Sequence, residues 1–148
     1  AGVDLTHIPY KGTGPMFAEL IGGQLSVTIA SAVPLIPQVK AGKLRGLAVT
    51  GAKRAAAMPD LPTIAETVAG YEVINWFGIA APRGTPKAAI ARINAEMNLA
   101  LKTAALISLL GAQGAEPAGG TPDEFAALIQ RDLAKWGKVV RASGARVD

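Results

Sequence analysis

The residues best placed to do chemistry are His7-Ile8-Pro9-Tyr10-Lys11-Gly12-Thr13-Gly14-Pro15. They read as the end of a strand, a glycine-rich turn and a proline-started helix. Such a turn leaves backbone N–H groups facing whatever lies in front of it, at the helix end that carries partial positive charge. Gly12 and Gly14 let a ligand come close to the backbone. Thr13 and Tyr10 offer hydroxyls, and Lys11 adds a full charge. The chemistry of the segment is therefore anion capture, with a small carboxylate as a suitable ligand. The same residues also make an ordinary strand-to-helix connection with an exposed lysine, and residue types alone leave both readings open.

Covalent chemistry has much less behind it. The chain contains one histidine and no cysteine, which removes thiol catalysis, disulfides and cysteine-ligated metals. His7 has no serine or acidic partner at fixed spacing, so it reads as a core or strand-edge histidine. The pair Asp123-Glu124 is accounted for by helix capping and the macrodipole. No His/Cys/Asp cluster has the spacing of metal ligands. The sequence thus predicts no catalytic residue, no metal and no cofactor.

The elements that must position the turn alternate in the first part of the chain. Residues 5–9 read as a strand. Residues 15–21 read as a helix with Met16, Phe17, Leu20 and Ile21 on one face, stopped by Gly22-Gly23. Leu25, Val27 and Ile29 alternate with Ser26 and Thr28 as in a half-buried strand. A helix over 34–41 closed by Gly42 and a buried strand over 44–50 complete a βαβαβ run. Right-handed parallel crossovers bring every βα turn to one sheet edge, where α/β proteins hold ligands. Ser31 and Thr50, each at the end of a strand, join the 10–14 turn there.

The character then changes. Residues 51–61 form a loop, and Thr63 with Glu66 spells a capping box for a short helix ended by Gly70. Residues 71–80 are strongly β-prone, and Trp76 and Phe77 form an aromatic pair that could wall a cleft, although such a pair on a strand is more often core. Thr85 and Pro86 read as N-cap and first residue of a helix carrying Ile90, Ile93, Met97 and Leu101. A shorter helix covers 104–110. Thr121-Pro122-Asp123-Glu124 opens the last helix, whose stripe of Phe125, Leu128, Ile129, Leu133, Trp136 and Val140 runs to Gly144. Trp136 belongs to that stripe as packing.

With 148 residues, half of them hydrophobic, the chain is long enough for one core. Abundant Ala and Gly with few aromatics fit close-packed α/β layers. No run reaches the roughly 18 apolar residues of a membrane span, so no membrane insertion is expected. The net charge of +4 is dispersed. It favours anions mildly and lacks the basic stripe of a nucleic-acid binder.

Read in order, Pro9-Tyr10-Lys11-Gly12, Ala41-Gly42-Lys43-Leu44-Arg45-Gly46, Lys53-Arg54, Leu61-Pro62-Thr63-Ile64-Ala65-Glu66, Trp76-Phe77-Gly78, Ala81-Pro82-Arg83-Gly84-Thr85-Pro86 and Gly120-Thr121-Pro122-Asp123-Glu124-Phe125 with Lys135-Trp136 resemble the C-terminal half of the Bug (TctC-like) family. These are periplasmic solute-binding receptors of tripartite tricarboxylate transporters. The resemblance spans essentially the whole chain. It implies a type II periplasmic-binding-protein-like (Venus flytrap) fold of parallel strands and helices. Residues 1–74 would then belong to the second ligand-binding lobe. Residues 75–148 would supply a hinge strand and helices of the first lobe, with the hinge near 71–82.

The implied function is capture of a small carboxylate in the periplasm for delivery to membrane permease subunits. The implied site is Tyr10, Lys11, Gly12, Thr13, Gly14, Ser31, Thr50 and Trp76. Family members carry an N-terminal half with further ligand-facing turns, and these have no counterpart here. The chain starts at Ala1 without an initiator Met or signal sequence, and so reads as a fragment or a processed product. The apolar stripe of the last helix then lacks its sheet, which predicts self-association. Two rivals remain: a truncated self-associating interaction module without ligand binding, and an anion-binding enzyme domain. The second would need a general base near 10–14, where only His7 and distant carboxylates are offered.

Overall fold

The computed structural model describes residues 5–144; the ends of the two expected segments, 1–4 and 145–148, lie outside the described residues. Its helices are α1 (Thr13–Ile21), α2 (Ala32–Lys40), α3 (Lys87–Ala100), α4 (Ala104–Ala112) and α5 (Pro122–Ser143), with a 3₁₀ turn at Ile64–Glu66. The chain divides into two compact units. The first comprises Ala1–Gly78 and Ser108–Glu116; the second comprises Ile79–Ile107 and Pro117–Asp148.

In the first unit both helices begin two residues earlier than the sequence pattern predicts. Prolines tolerate the first turn of a helix, where an N–H has no intrahelical partner, so Pro15 and Pro34 lie inside α1 and α2 instead of opening them. Pro37, deeper in α2, removes one helical hydrogen bond. The apolar centre of the unit is Ile36, 2% exposed and the one fully buried hydrophobic side chain among the described residues. Gly114, at the end of the returning segment, lies against it.

The expected strands 5–9, 25–29, 44–50 and 71–80 do not pair into a ladder. Among the described residues the one β contact is a parallel bridge between Val49 and Thr63. The expected half-buried strand over 25–29 does not form, and its apolar row lacks cover. Val27 is 47% exposed and Ile29 69% exposed, while Thr28 turns toward α1 and donates its hydroxyl to Met16 Sδ at 3.2 Å. A strand needs neighbours at its edges and a layer on its face to hold its pairing. Residues 71–80 show the same deficit, with Ile74, Phe77 and Ile79 all exposed. His7 is exposed as well, so of its two readings, core or strand edge, the core one does not hold.

Around the bridge the chain does knit together. Val49 N–H donates to Pro62 O at 2.9 Å, Ile64 N–H to Val49 O at 3.0 Å and Val73 N–H to Thr50 O at 2.9 Å. Gly46 is pressed by the same loop: a Cβ there would meet Leu61 Cδ1 at 2.8 Å. The Thr63/Glu66 capping box forms as expected, and Thr63 is buried.

In the second unit α3 starts at Lys87, with Pro86 extended as its N-cap. Thr85 does not cap; its hydroxyl donates to Pro82 O at 2.8 Å. The loop before α5 is pinned to α3 by amides. Asn94 and Asn98 both donate from Nδ2 to Gly120 O, at 2.9 and 2.8 Å, and Gly120 N–H donates back to Asn98 Oδ1 at 2.8 Å. The α5 helix then opens on the expected Thr121/Glu124 capping box and ends on Gly144 in the left-handed conformation. Trp136 is half-buried, with Lys135 Nζ 5.2 Å from its ring centroid.

Candidate functional site

The eight residues singled out from the sequence all fall in the first unit. Five form the continuous turn 10–14, and the others come from three separate segments. Gly12 is the N-cap of α1 with φ 101° and ψ 175°, a combination open essentially to glycine alone. No atom outside its neighbours lies within 4 Å of where a Cβ would stand on Gly12 or Gly14. The approach to the start of α1 is therefore open, and Lys11 and Thr13 are exposed beside it.

Helix starts in this protein come in two kinds. At α5 and at the 3₁₀ turn, Thr121 with Glu124 and Thr63 with Glu66 fill the first N–H groups with the chain's own side chains. At α1 and α2 no side chain does so. Ser31 occupies the N-cap position of α2, half-buried, yet its hydroxyl makes no capping bond. The α3 helix also starts without a side-chain cap, so this feature alone does not single out a site. What distinguishes α1 is the combination of an uncapped start with an unobstructed glycine approach.

Tyr10 is arranged differently from the sequence reading. Its hydroxyl donates to Glu19 Oε2, nine residues on. That hydrogen bond, ahead of desolvation and the carboxylate's charge, raises the Tyr10 pKa above its ordinary value. The phenol stays protonated and its proton is committed to Glu19, so the donors left at the turn are backbone N–H groups, the Thr13 hydroxyl and Lys11. Glu19 gave no sign of this part in sequence, because a surface glutamate in a helix is unremarkable by type.

Thr50 is half-buried at the end of the segment that carries the parallel bridge, with its carbonyl held by Val73 N–H. Trp76 is 37% exposed. The loop after Thr50 is tied down by a pair that sequence reasoning missed. Arg54 donates Nε to Glu66 Oε1 at 3.0 Å and Nη2 to Oε2 at 2.9 Å, while Thr63 N–H donates to the same Oε1 at 3.0 Å. Arg54 first, then the Thr63 amide, hold the Glu66 carboxyl below the ordinary carboxylate range. The capping box announced Glu66; nothing in the spacing announced Arg54. Among the described residues, no three His, Cys, Asp or Glu side chains are grouped to hold a metal ion.

The chemistry available at this arrangement is non-covalent capture of an anion by main-chain donors. The model of the tripartite tricarboxylate transporter family receptor, TctC, matches residues 1–145. The structure of Rhodopseudomonas palustris Rpa4515 with adipate is 40% identical, with a TM-score of 0.91 over 97% of this chain and 48% of that one. The periplasmic binding protein BugD is 32% identical, with a TM-score of 0.86 over 97% of this chain and 49% of that one. MatC of Rhodopseudomonas palustris, solved with bound malate, is 32% identical at a TM-score of 0.81 over 93% of this chain and 48% of that one. Curated relatives at 35% identity are likewise spanned over 42% and 45% of their length. These likenesses bear out the α/β, periplasmic-binding-protein-like fold, the chain accounting for about half of each relative.

Proposed function

Because this chain belongs to the tripartite tricarboxylate transporter receptor family, TctC, we propose that it is the carboxylate-capturing part of a periplasmic solute-binding receptor that hands its ligand to membrane permease subunits. The observation that carries the reading is the start of α1: an uncapped helix N-terminus approached across two glycines with open space in front of them. A carboxylate placed there accepts from main-chain N–H groups and meets the favourable end of the helix dipole. Adipate in one solved relative and malate in another are ligands of that chemistry. Ser31, Thr50 and Trp76 would shape the rest of the ligand's surroundings, fixing length and polarity. Closure around the ligand is a shift between open and shut lobes biased by binding. On this reading the protein binds and releases its ligand unchanged, as a receptor does.

The test is thermal unfolding of this chain with and without millimolar mono-, di- and tricarboxylates, adipate and malate included. A ligand at a hundred times its dissociation constant stabilises by about 2.7 kcal/mol. A selective upward shift with one acid supports the reading and names the ligand class; a cooperative melt that no acid moves removes autonomous binding. Self-association is a second property favoured by a specific observation, the exposed Val27, Ile29, Phe77 and Ile79. Mass measured across a dilution series reports it.

A further inference from the structure

We propose that Arg54 and Glu66 are positioning residues for the ligand site, acting by fixing the end of the segment at Thr50 and Gly51; the inference rests on the carboxylate-receptor reading above.

The guanidinium of Arg54 grips both oxygens of Glu66, at 3.0 and 2.9 Å, and also reaches Pro59 O at 3.4 Å. A planar fork on a carboxylate is geometrically specific in a way a lone ammonium is not. Glu66 is itself built into the capping box, accepting from Thr63 N–H while Glu66 N–H donates to Thr63 Oγ1 at 3.2 Å. Thr63 is buried and forms the parallel bridge to Val49. Val49 is bonded on both sides, to Pro62 O and from Ile64 N–H, and the next residue, Thr50, receives Val73 N–H. The Arg54 fork thus holds Glu66, Glu66 holds Thr63, and the neighbours of Thr63, Pro62 and Ile64, hold Val49, the residue before Thr50.

The loop so closed begins at Gly51, directly after the proposed ligand residue. Both charged side chains are about half exposed, 47% and 45%. As a surface ion pair it would contribute little to global stability. Its geometric role is larger: without the fork, the loop 51–61 loses its side-chain tie to the capping box beside the Val49–Thr63 bridge, one residue from Thr50. Loosening a site residue by a fraction of an ångström weakens binding without unfolding the protein.

The experiment compares this chain with its Arg54→Lys and Glu66→Gln variants by two readouts. The first is amide hydrogen exchange at Val49, Ile64 and Val73, whose N–H groups make the bonds in question. The second is titration with adipate and with malate. The expected result is at least tenfold faster exchange at these three amides, with α1 and α2 amides unchanged, and about tenfold weaker binding of whichever acid the parent chain binds, at nearly constant melting temperature. The double variant should be no worse than the weaker-binding single variant. Unchanged exchange overturns the proposal, and so does faster exchange with unchanged affinity. Equal losses of affinity and melting temperature also overturn it, since they describe a merely structural pair. If the parent chain binds neither acid, autonomous binding of those acids is what fails, and the exchange data still decide whether the fork sets Thr50.

Discussion

Gly114 stands so close to Ile36 that a Cβ built on the glycine would fall 2.1 Å from Ile36 Cδ1. The glycine also has φ +72°, a backbone conformation unfavourable for a side chain. Gly114→Ala should therefore destabilise the chain by about 1–3 kcal/mol through overpacking, seen as a lower midpoint in denaturant. Ile36→Val removes the clashing Cδ1, so combining the two should recover part of the loss. A double variant as unstable as the sum of both singles would show that backbone conformation, and not the contact, sets the cost.

The asparagine pin in the second unit makes a ranked prediction. Asn98 exchanges two hydrogen bonds with Gly120, whereas Asn94 donates one to the same carbonyl. Asn98→Ala leaves the Gly120 amide without its acceptor and should cost about 1–3 kcal/mol; Asn94→Ala should cost less, about 1 kcal/mol. Chemical unfolding of both variants checks the order.

Glycines 12 and 14 separate stability from binding. Gly14 has neither positive φ nor a neighbour within 4 Å, so Gly14→Val should leave the melting temperature within about 2 °C of the parent while blocking approach to the α1 N-terminus. Gly12→Val should lose both binding and roughly 1–3 kcal/mol of stability, because valine does not tolerate its backbone angles. Calorimetric titration with adipate, with unfolding curves in parallel, distinguishes the two.

The pH dependence has a definite sign at each end. The Glu66 and Glu124 carboxyls are held below their ordinary range, Glu66 by Arg54 and then Thr63, Glu124 by the Thr121 amide and then its hydroxyl. The stability they contribute is present above the unfolded carboxylate range, near pH 4.3, and is lost as pH falls through their folded values. Tyr10 is raised by its bond to Glu19, so its contribution is present below about pH 10 and is lost as pH rises through its folded value. A pH series of melting temperatures should fall on the acid side less steeply in Glu66→Gln than in the parent.

Much of the helical part was legible because its signals are local. Thr121 with Glu124 and Thr63 with Glu66 declare capping boxes within four residues, and Gly144 declares a left-handed stop. The turn at 10–14 was legible for the same reason. The strands were not, since alternation at Leu25, Val27 and Ile29 says nothing of the neighbours and covering layer a strand needs, and Val27 and Ile29 are exposed. Distant partners were equally silent: no pattern ties Tyr10 to Glu19, Arg54 to Glu66 or Ile36 to Gly114. The candidate residues were chosen by type, while the bonds around them, such as Tyr10 to Glu19, had to be seen.

The return of Ser108–Glu116 to the first unit bears on the order in which the molecule is made. Ile36 leaves the ribosome long before Gly114, and in between comes all of α3. During synthesis the nascent first unit must wait with its central side chain uncovered, and its closure is a late, non-local event of the slow kind. A messenger truncated before Gly114, or a protease cut within α4, would strand that unit without its plug even though the turn at 10–14 and the whole of α1 and α2 had already been translated.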